Sequence, residues 1–145
     1  MATCTLTRRV KFAAAHRYRR PEWDDARNQA TFGACAWPNY HGHSYTCDVT
    51  VTGDIDPLTG FVVDLGTLDA VLHQEVVLRF DHRNINTDVP EFGDGRLVPS
   101  GENLARYILD RVQAALAGDA RVVSVRVTSV RVAEDDTLSA TYSVG

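Results

Sequence analysis

A chain of 145 residues is long enough for one domain, residues 1–145, with a real hydrophobic core. Hydrophobic residues make up 44% and charged residues 23%, the balance of an ordinary globular protein. A net charge of −4 argues against a general nucleic-acid binder but leaves room for an anionic small substrate held by a local arginine cluster. Three cysteines cannot all pair within one chain and form no disulfide framework, so a reducing, cytoplasmic setting is expected. The stretch MATCTLTRRVKF lacks an apolar signal core, and no run approaches the length of a membrane span, so no membrane partner is expected.

Residues 4–13 read as a first strand, with Leu6 and Val10 among threonines and arginines. Residues 17–40 carry prolines, tryptophans and charges without a period and read as irregular. From His41 to Val51 the alternation is clean: His41, His43, Tyr45, Cys47, Val49 and Val51 share one face, and Ser44, Thr46, Asp48, Thr50 and Thr52 share the other. GDIDPLTG is turn chemistry. Asp64 is placed to cap a helix over about 65–79, with Leu68, Val71, Leu72 and Val76 as its apolar stripe. Residues 81–99 read as a long loop, a place where function is often found. Ser100 is placed to cap a second helix, with Leu104, Ile108 and Val112 on one face and Gly118-Asp119 at its end. Residues 121–133 and 137–144 read as two more strands, the first with a phase shift near Thr128-Ser129 that suggests a bulge. The order β-β-α-α-β-β predicts an α+β domain: a four-stranded antiparallel sheet with two helices on one face.

Histidines at 41 and 43 lie on one strand face, so their imidazoles can converge on one ion. His16, in FAAAH, ends the first strand, where a neighbouring strand can bring it beside the pair. On their own, these residues leave a metal site and a polar strand end both open. His73 sits mid-helix and reads as a surface or packing residue. Cys4 and Cys47 read as small apolar residues. Cys35, near a metal and a histidine, could have a lowered pKa and act as a base. Asp81-His82 is an adjacent carboxylate and imidazole that work jointly only at a bend, which RNIN supports. Glu102 suits a helix start, and Glu134 ends a strand beside two more acids. Arg17, Arg19, Arg20 and Arg27 are either a solvated basic loop or a phosphate-binding cluster.

Taken together, FAAAHR, NQATFGACAWPNYHGHSY, GFVVDLGTL, FDHRNIN, PSGENLARYI and VRVAEDDTLSATY resemble, in order, the motifs of the 6-pyruvoyl-tetrahydropterin synthase / 6-carboxy-tetrahydropterin synthase family. The resemblance covers nearly the whole chain. It implies the tunnelling fold (T-fold), in which subunits pool strands into a barrel, commonly as a homohexamer of two trimers with active sites at subunit interfaces. It implies Zn2+ on His16, His41 and His43, with Cys35 as the catalytic base and Asp81 and His82 completing a proton relay, in some arrangements toward a neighbouring subunit's cysteine. It implies that Glu134 anchors the amino-pyrimidine edge of a pterin, with Glu102 and the Ser100 motif assisting.

The implied reaction is a lyase reaction on 7,8-dihydroneopterin triphosphate that eliminates triphosphate and yields 6-pyruvoyl-tetrahydropterin. Five residues between Cys35 and His41 resemble the 6-pyruvoyl type. The alternatives are the 6-carboxy synthase of queuosine and deazapurine synthesis, which releases acetaldehyde, a non-catalytic zinc- and pterin-binding oligomer, and a zinc hydrolase that needs no thiol. No G-x-G-x-x-G is present for a nicotinamide. Asp135 and Gly101 depart from the family pattern beside the expected pterin edge.

Overall fold

The computed structural model describes residues 3–145. β1 (Cys4–His16) and β2 (His41–Gly53) form a long antiparallel pair, in register from Cys4 opposite Gly53 to His16 opposite His41. The alternation on β2 is obeyed as far as Val51: Tyr45, Cys47, Val49 and Val51 are buried, while Ser44, Thr46, Asp48 and Thr50 keep access to solvent; Thr52, on the second face, is buried instead, its hydroxyl 3.1 Å from that of Thr128. β4 (Arg126–Ala133) pairs antiparallel with β2 on one side and with β5 (Ser139–Ser143) on the other. Ser129 faces Thr50 but Val127 faces Val51, so Thr128 is an extra residue, the bulge its phase shift suggests.

The sheet has a fifth strand that the expected four-stranded antiparallel sheet lacks. β3 (Arg83–Asn84) runs parallel to Ala14-Ala15, giving the order β3-β1-β2-β4-β5. Two residues offer no alternation to read. They join the sheet because the preceding bend is pinned to β1: Ala13 N–H donates to Asp81 Oδ1 at 2.9 Å, and His82 N–H donates to Ala13 O at 2.7 Å.

The segment expected to be irregular contains α1 (Asp25–Phe32), capped by Asp24, whose carboxylate accepts from Arg27 N–H at 2.8 Å. Its only buried residue is Asn28, so it has no apolar stripe to betray it. The Asn28 amide accepts from Arg20 N–H at 2.8 Å and donates to the carbonyls of Arg20 at 3.0 Å, Trp23 at 3.3 Å and Asp24 at 3.1 Å. Asn28→Ala is expected to destabilise the protein by about 1–3 kcal/mol, because it removes four hydrogen bonds to part-buried backbone groups. Thermal unfolding measures this; an unchanged midpoint would show that water replaces the amide.

The first predicted helix is α2 (Leu65–Leu72), which runs on through a π-helical turn, His73–Val77, into α3 (Leu78–Phe80). Asp64 caps it, accepting from Thr67 N–H at 2.9 Å, and His73 is exposed. The expected loop at 81–99 is partly ordered: it holds β3, α4 (Ile85–Asp88) and a 3-10 turn at Pro90–Phe92. α5 (Gly101–Ala117) starts and stops where its caps predict. The strand expected from 121 begins only at Arg126, because Asp119 accepts from Arg121 N–H at 2.9 Å and from its guanidinium, holding 119–122 as a turn.

α2 and α5 cover one face of the sheet. Leu68, Leu72, Val76, Phe80, Leu104, Ile108, Val112 and Leu116 pack against Phe12, Tyr45, Val49 and Val130. Each such side chain is worth about 1.5–3 kcal/mol when fully buried. The opposite face is polar: Asp48 takes Arg9 at 2.7 Å from one neighbouring strand and Arg131 at 3.5 Å from the other. No helix among the described residues is long and apolar enough to cross a membrane.

Candidate active site

The end of β1 and the start of β2 meet at one edge of the core, and this sets the site. Antiparallel register puts His16 opposite His41, and the two-residue period puts His43 on the same face. The rings stand 4.6 Å apart (His16–His41), 5.1 Å (His16–His43) and 5.1 Å (His41–His43), and one ligand nitrogen from each lies within 4.8 Å of the others. Gly42 lets the strands close here, since a Cβ on it would sit 3.3 Å from Ala14 O.

His16 is fully buried, and its Nδ1 lies 2.8 Å from Pro99 O. A carbonyl only accepts, so Nδ1 carries the proton and Nε2 turns its lone pair toward the other histidines. Burial pushes the His16 pKa down to about 4; the Pro99 carbonyl opposes this, and the neighbouring His41 and His43 add to it. Burial likewise lowers His41, with His43 adding to the effect. Nε2 of His16 and Nε2 of His43 are buried without a hydrogen-bond partner among the described residues. Orphaned lone pairs cost about 1–3 kcal/mol each, a cost that coordination to an ion removes. Three converging imidazoles, one braced by a backbone carbonyl, fit zinc.

Glu134 follows β4 directly and reaches into this cluster. Its carboxylate lies 3.6 Å from His43 Nε2 and 3.9 Å from His16 Nε2. The Tyr18 hydroxyl donates to its Oε1 at 3.0 Å. Burial, followed by the Glu134 charge, raises the Tyr18 pKa, so the hydroxyl stays a donor. Tyr18 was not singled out from the sequence; two residues beyond His16 on extended chain, it shares the histidine's face, and the period-two rule would have found it.

Beside the cluster lies a cavity of about 390 Å³ between β4, β5 and the start of α5. Tyr18, Gly101, Glu102, Glu134 and Thr141 are among its walls. Glu102 is exposed, and among the described residues no side-chain hydrogen bond or ion pair engages it. Ser100 is not in the wall; its hydroxyl is spent accepting from Asn103 N–H at 3.2 Å. Of the two departures from the family pattern, Asp135 acquires a local reason and Gly101 does not. Asp135 folds the β4–β5 turn, accepting from Thr137 N–H and Oγ1, each at 2.7 Å, so it is a turn residue rather than a wall of the cavity. Gly101 is buried, and a Cβ there would meet Ala140 Cβ at 3.5 Å, an ordinary contact.

Cys35 lies half-buried in a 3-10 turn, Gly33–Ala36. Burial, then the Glu134 charge, raises its thiol pKa, so the protein's own groups work against the lowered value expected from the sequence. Cys47 is the inert thiol its strand face implies, fully buried and pushed up to about 12.

Asp81 and His82 do form a bend: His82 has φ +60° and its side chain is 86% exposed. Their closest approach is 3.9 Å, and among the described residues no bond joins either to Cys35 or to the histidine cluster. The arginine cluster is largely committed within the chain. Arg20 bonds Glu22 at 2.6 Å and Arg96 O at 2.8 Å, and Arg27 stacks over Trp23 at 4.0 Å. Arg19 has only a 3.9 Å approach to the exposed Asp25.

This α+β sheet, with two helices on one face and a three-histidine cluster at the end of its paired strands, defines a T-fold enzyme. The family model for 6-pyruvoyl tetrahydropterin synthase matches residues 5–144, and the chain belongs to that family. It is 41% identical over 111 residues to human 6-pyruvoyl tetrahydrobiopterin synthase, covering 77% of this chain and 75% of that one. It is 31% identical over 114 residues to a dihydroneopterin monophosphate aldolase from Pyrococcus furiosus, covering 79% of each. The solved 6-pyruvoyl tetrahydropterin synthase of Caenorhabditis elegans superposes with a TM-score of 0.88 at 31% identity, covering 100% of this chain and 98% of that one.

Proposed function

We propose that this chain is a zinc-dependent tetrahydropterin synthase that converts 7,8-dihydroneopterin triphosphate to 6-pyruvoyl-tetrahydropterin with loss of triphosphate. The observation that carries the reading is the pair of orphaned, buried imidazole nitrogens on His16 and His43, opening beside a cavity walled by two glutamates. His16, His41 and His43 would hold the zinc. When bound, zinc supplies Lewis acidity that lowers the pKa of the substrate's side-chain hydroxyls.

The chain's own residues do the rest. Glu102, unpaired at the cavity wall, takes the guanidine-like amino-pyrimidine edge of the pterin. Glu134 stands at the metal end, held by Tyr18, so the geometry favours reversing the order of importance that the family resemblance implies for these two residues. Cys35 moves protons between the side-chain carbons and the ring, which reduces the ring as the side chain is oxidised. Its raised pKa means that the thiolate depends on positive charge from the bound ion or from a protonated imidazole. His82, outward-facing and unconnected to its own Cys35, suits the active site of a neighbouring copy in a hexamer of two trimers.

The test is anaerobic incubation of zinc-loaded protein with the triphosphate, with products read by mass spectrometry. A 6-pyruvoyl product is expected. A 6-carboxy product with acetaldehyde and free triphosphate would move the protein to the deazapurine route, and 6-hydroxymethyl-dihydropterin with a two-carbon aldehyde that keeps the triphosphate would make it an aldolase. Bound zinc and pterin without turnover would make it a binder. Glu102→Ala is expected to weaken pterin binding about 10- to 100-fold, the worth of charge-assisted hydrogen bonds, with zinc content unchanged. Calorimetry with a non-reactive pterin checks this; an unchanged affinity would return the anchoring role to Glu134.

A further inference from the structure

The Cys35 turn is short, and among its residues only Ala36 is buried, so packing alone does not fix it. What fixes it is the segment leaving β1 immediately after His16. Tyr18 N–H donates to Cys35 O at 2.8 Å. The Arg17 guanidinium donates twice to Ala36 O, from Nη2 at 2.7 Å and from Nε at 3.2 Å. Arg17 is in turn bracketed by one side chain: its N–H donates to Asn86 Oδ1 at 2.8 Å, and Asn86 Nδ2 donates to its carbonyl at 2.9 Å. Asn86 is seated by Asn84, whose Oδ1 accepts from Asn86 N–H at 3.1 Å, and Asn84 lies on β3 opposite Ala15.

We infer that Arg17 and Asn86 are positioning residues, a latch that fixes the Cys35 thiol relative to the histidine cluster. The inference rests on the proposed role of Cys35 as proton carrier. It assigns Arg17 to the protein's own backbone rather than to substrate phosphate. The two successive carbonyls that follow the thiol's α-carbon, Cys35 O and Ala36 O, are tied to Tyr18 and Arg17, the two residues that follow His16. Proton transfer needs the thiol within hydrogen-bond reach of its carbon, and a misplacement of about 1 Å costs on the order of 100-fold. The Asn86 amide ties the segment that follows Asp81 and His82 to the segment that holds the Cys35 turn.

The test compares zinc-loaded wild type with Arg17→Met, Arg17→Lys and Asn86→Asp. Arg17→Met is expected to lower kcat about 10- to 100-fold with KM changed less than about threefold and zinc stoichiometry intact. Arg17→Lys, which can return one donor to Ala36 O, is expected to recover part of kcat. Asn86→Asp keeps the acceptor for Arg17 N–H and loses the donor, and should shift kcat in the same direction. Iodoacetamide labelling of Cys35, followed by peptide mass spectrometry, should change in rate in each variant, because the turn is loosened. A raised KM with kcat spared would overturn the latch and make Arg17 a phosphate-binding group. Unchanged kcat and unchanged labelling in Asn86→Asp would also overturn it, even if Arg17→Met failed to fold. If no dihydropterin is turned over, the proposed function fails, yet the labelling rates still decide the latch, since iodoacetamide needs no pterin.

Discussion

Cys35→Ala is expected to lower turnover by about 100- to 10,000-fold while leaving zinc content at the wild-type level. The separation of the two effects follows from the geometry. Cys35 sits on a 3-10 turn, held to the chain through its carbonyl, whereas the three histidines belong to β1 and β2 and are braced by Pro99 and by strand pairing. Removing the thiol takes no ligand from the ion and no hydrogen bond from the fold. The loss is large because no other side chain is placed to take its work. Glu134 is the nearest charged alternative, and it is occupied by Tyr18 at 3.0 Å. Among the described residues neither Asp81 nor His82 makes a bond to its own Cys35, and the His82 side chain is exposed. Cys35→Ser keeps the size and should fall by a similar factor, because a hydroxyl is a far weaker base partner near neutral pH. Turnover of the triphosphate by mass spectrometry, with metal content measured on the same sample, gives both numbers. Near-full activity in Cys35→Ala would sink the relay and favour a zinc hydrolase, which has no use for the thiol.

Much of this site is legible in the sequence because strands encode it simply. His41 and His43 share a face by parity alone, and the alternation through Val51 fixes which face that is. The caps Asp64 and Ser100 are equally plain, since a side-chain oxygen three residues before a free backbone N–H is a local signal. What parity does not give is partnership across the chain. Pro99 as the brace of His16 and Asn86 as the clamp of Arg17 are contacts separated by 83 and 69 residues, and nothing local announces them. α1 was invisible for a different reason: its buried residue is an asparagine working through hydrogen bonds, and a hydrophobic period cannot register it. The Cys35 pKa runs against expectation chiefly because the turn partly buries the thiol, and secondly because Glu134, distant in sequence, brings a negative charge to it. The resemblance supplied the residues of the site, and the arrangement adds their surroundings: Glu102 exposed in the cavity wall, Glu134 bonded to Tyr18 beside the histidines.

His16 should also make the metal-free protein sensitive to acid. In the folded chain its pKa is about 4, against 6.5 for a free histidine, and the principal cause is burial. Between those values the unfolded chain binds a proton that the folded chain does not, so stability rises with pH across this window. The contribution is fully present above pH 6.5 and is lost as pH falls toward 4, amounting to roughly 3 kcal/mol at the bottom of the window. His41, also lowered, adds in the same direction. Urea unfolding of chelator-treated protein at pH 7, 6 and 5 should show the midpoint falling at each step. Saturating zinc should raise stability at pH 7, by about 4 kcal/mol at a thousandfold excess over its dissociation constant. That gain should collapse in the same acid window, because the imidazoles must be deprotonated to hold the ion. His16→Ala should abolish the zinc-dependent gain and flatten the acid profile of the metal-free protein, even though the deleted ring lowers stability overall. A metal-free wild type whose stability stayed level from pH 7 to 5 would mean that His16 is not the neutral ligand its burial favours, and the metal centre would have to be built on His41 and His43 without it.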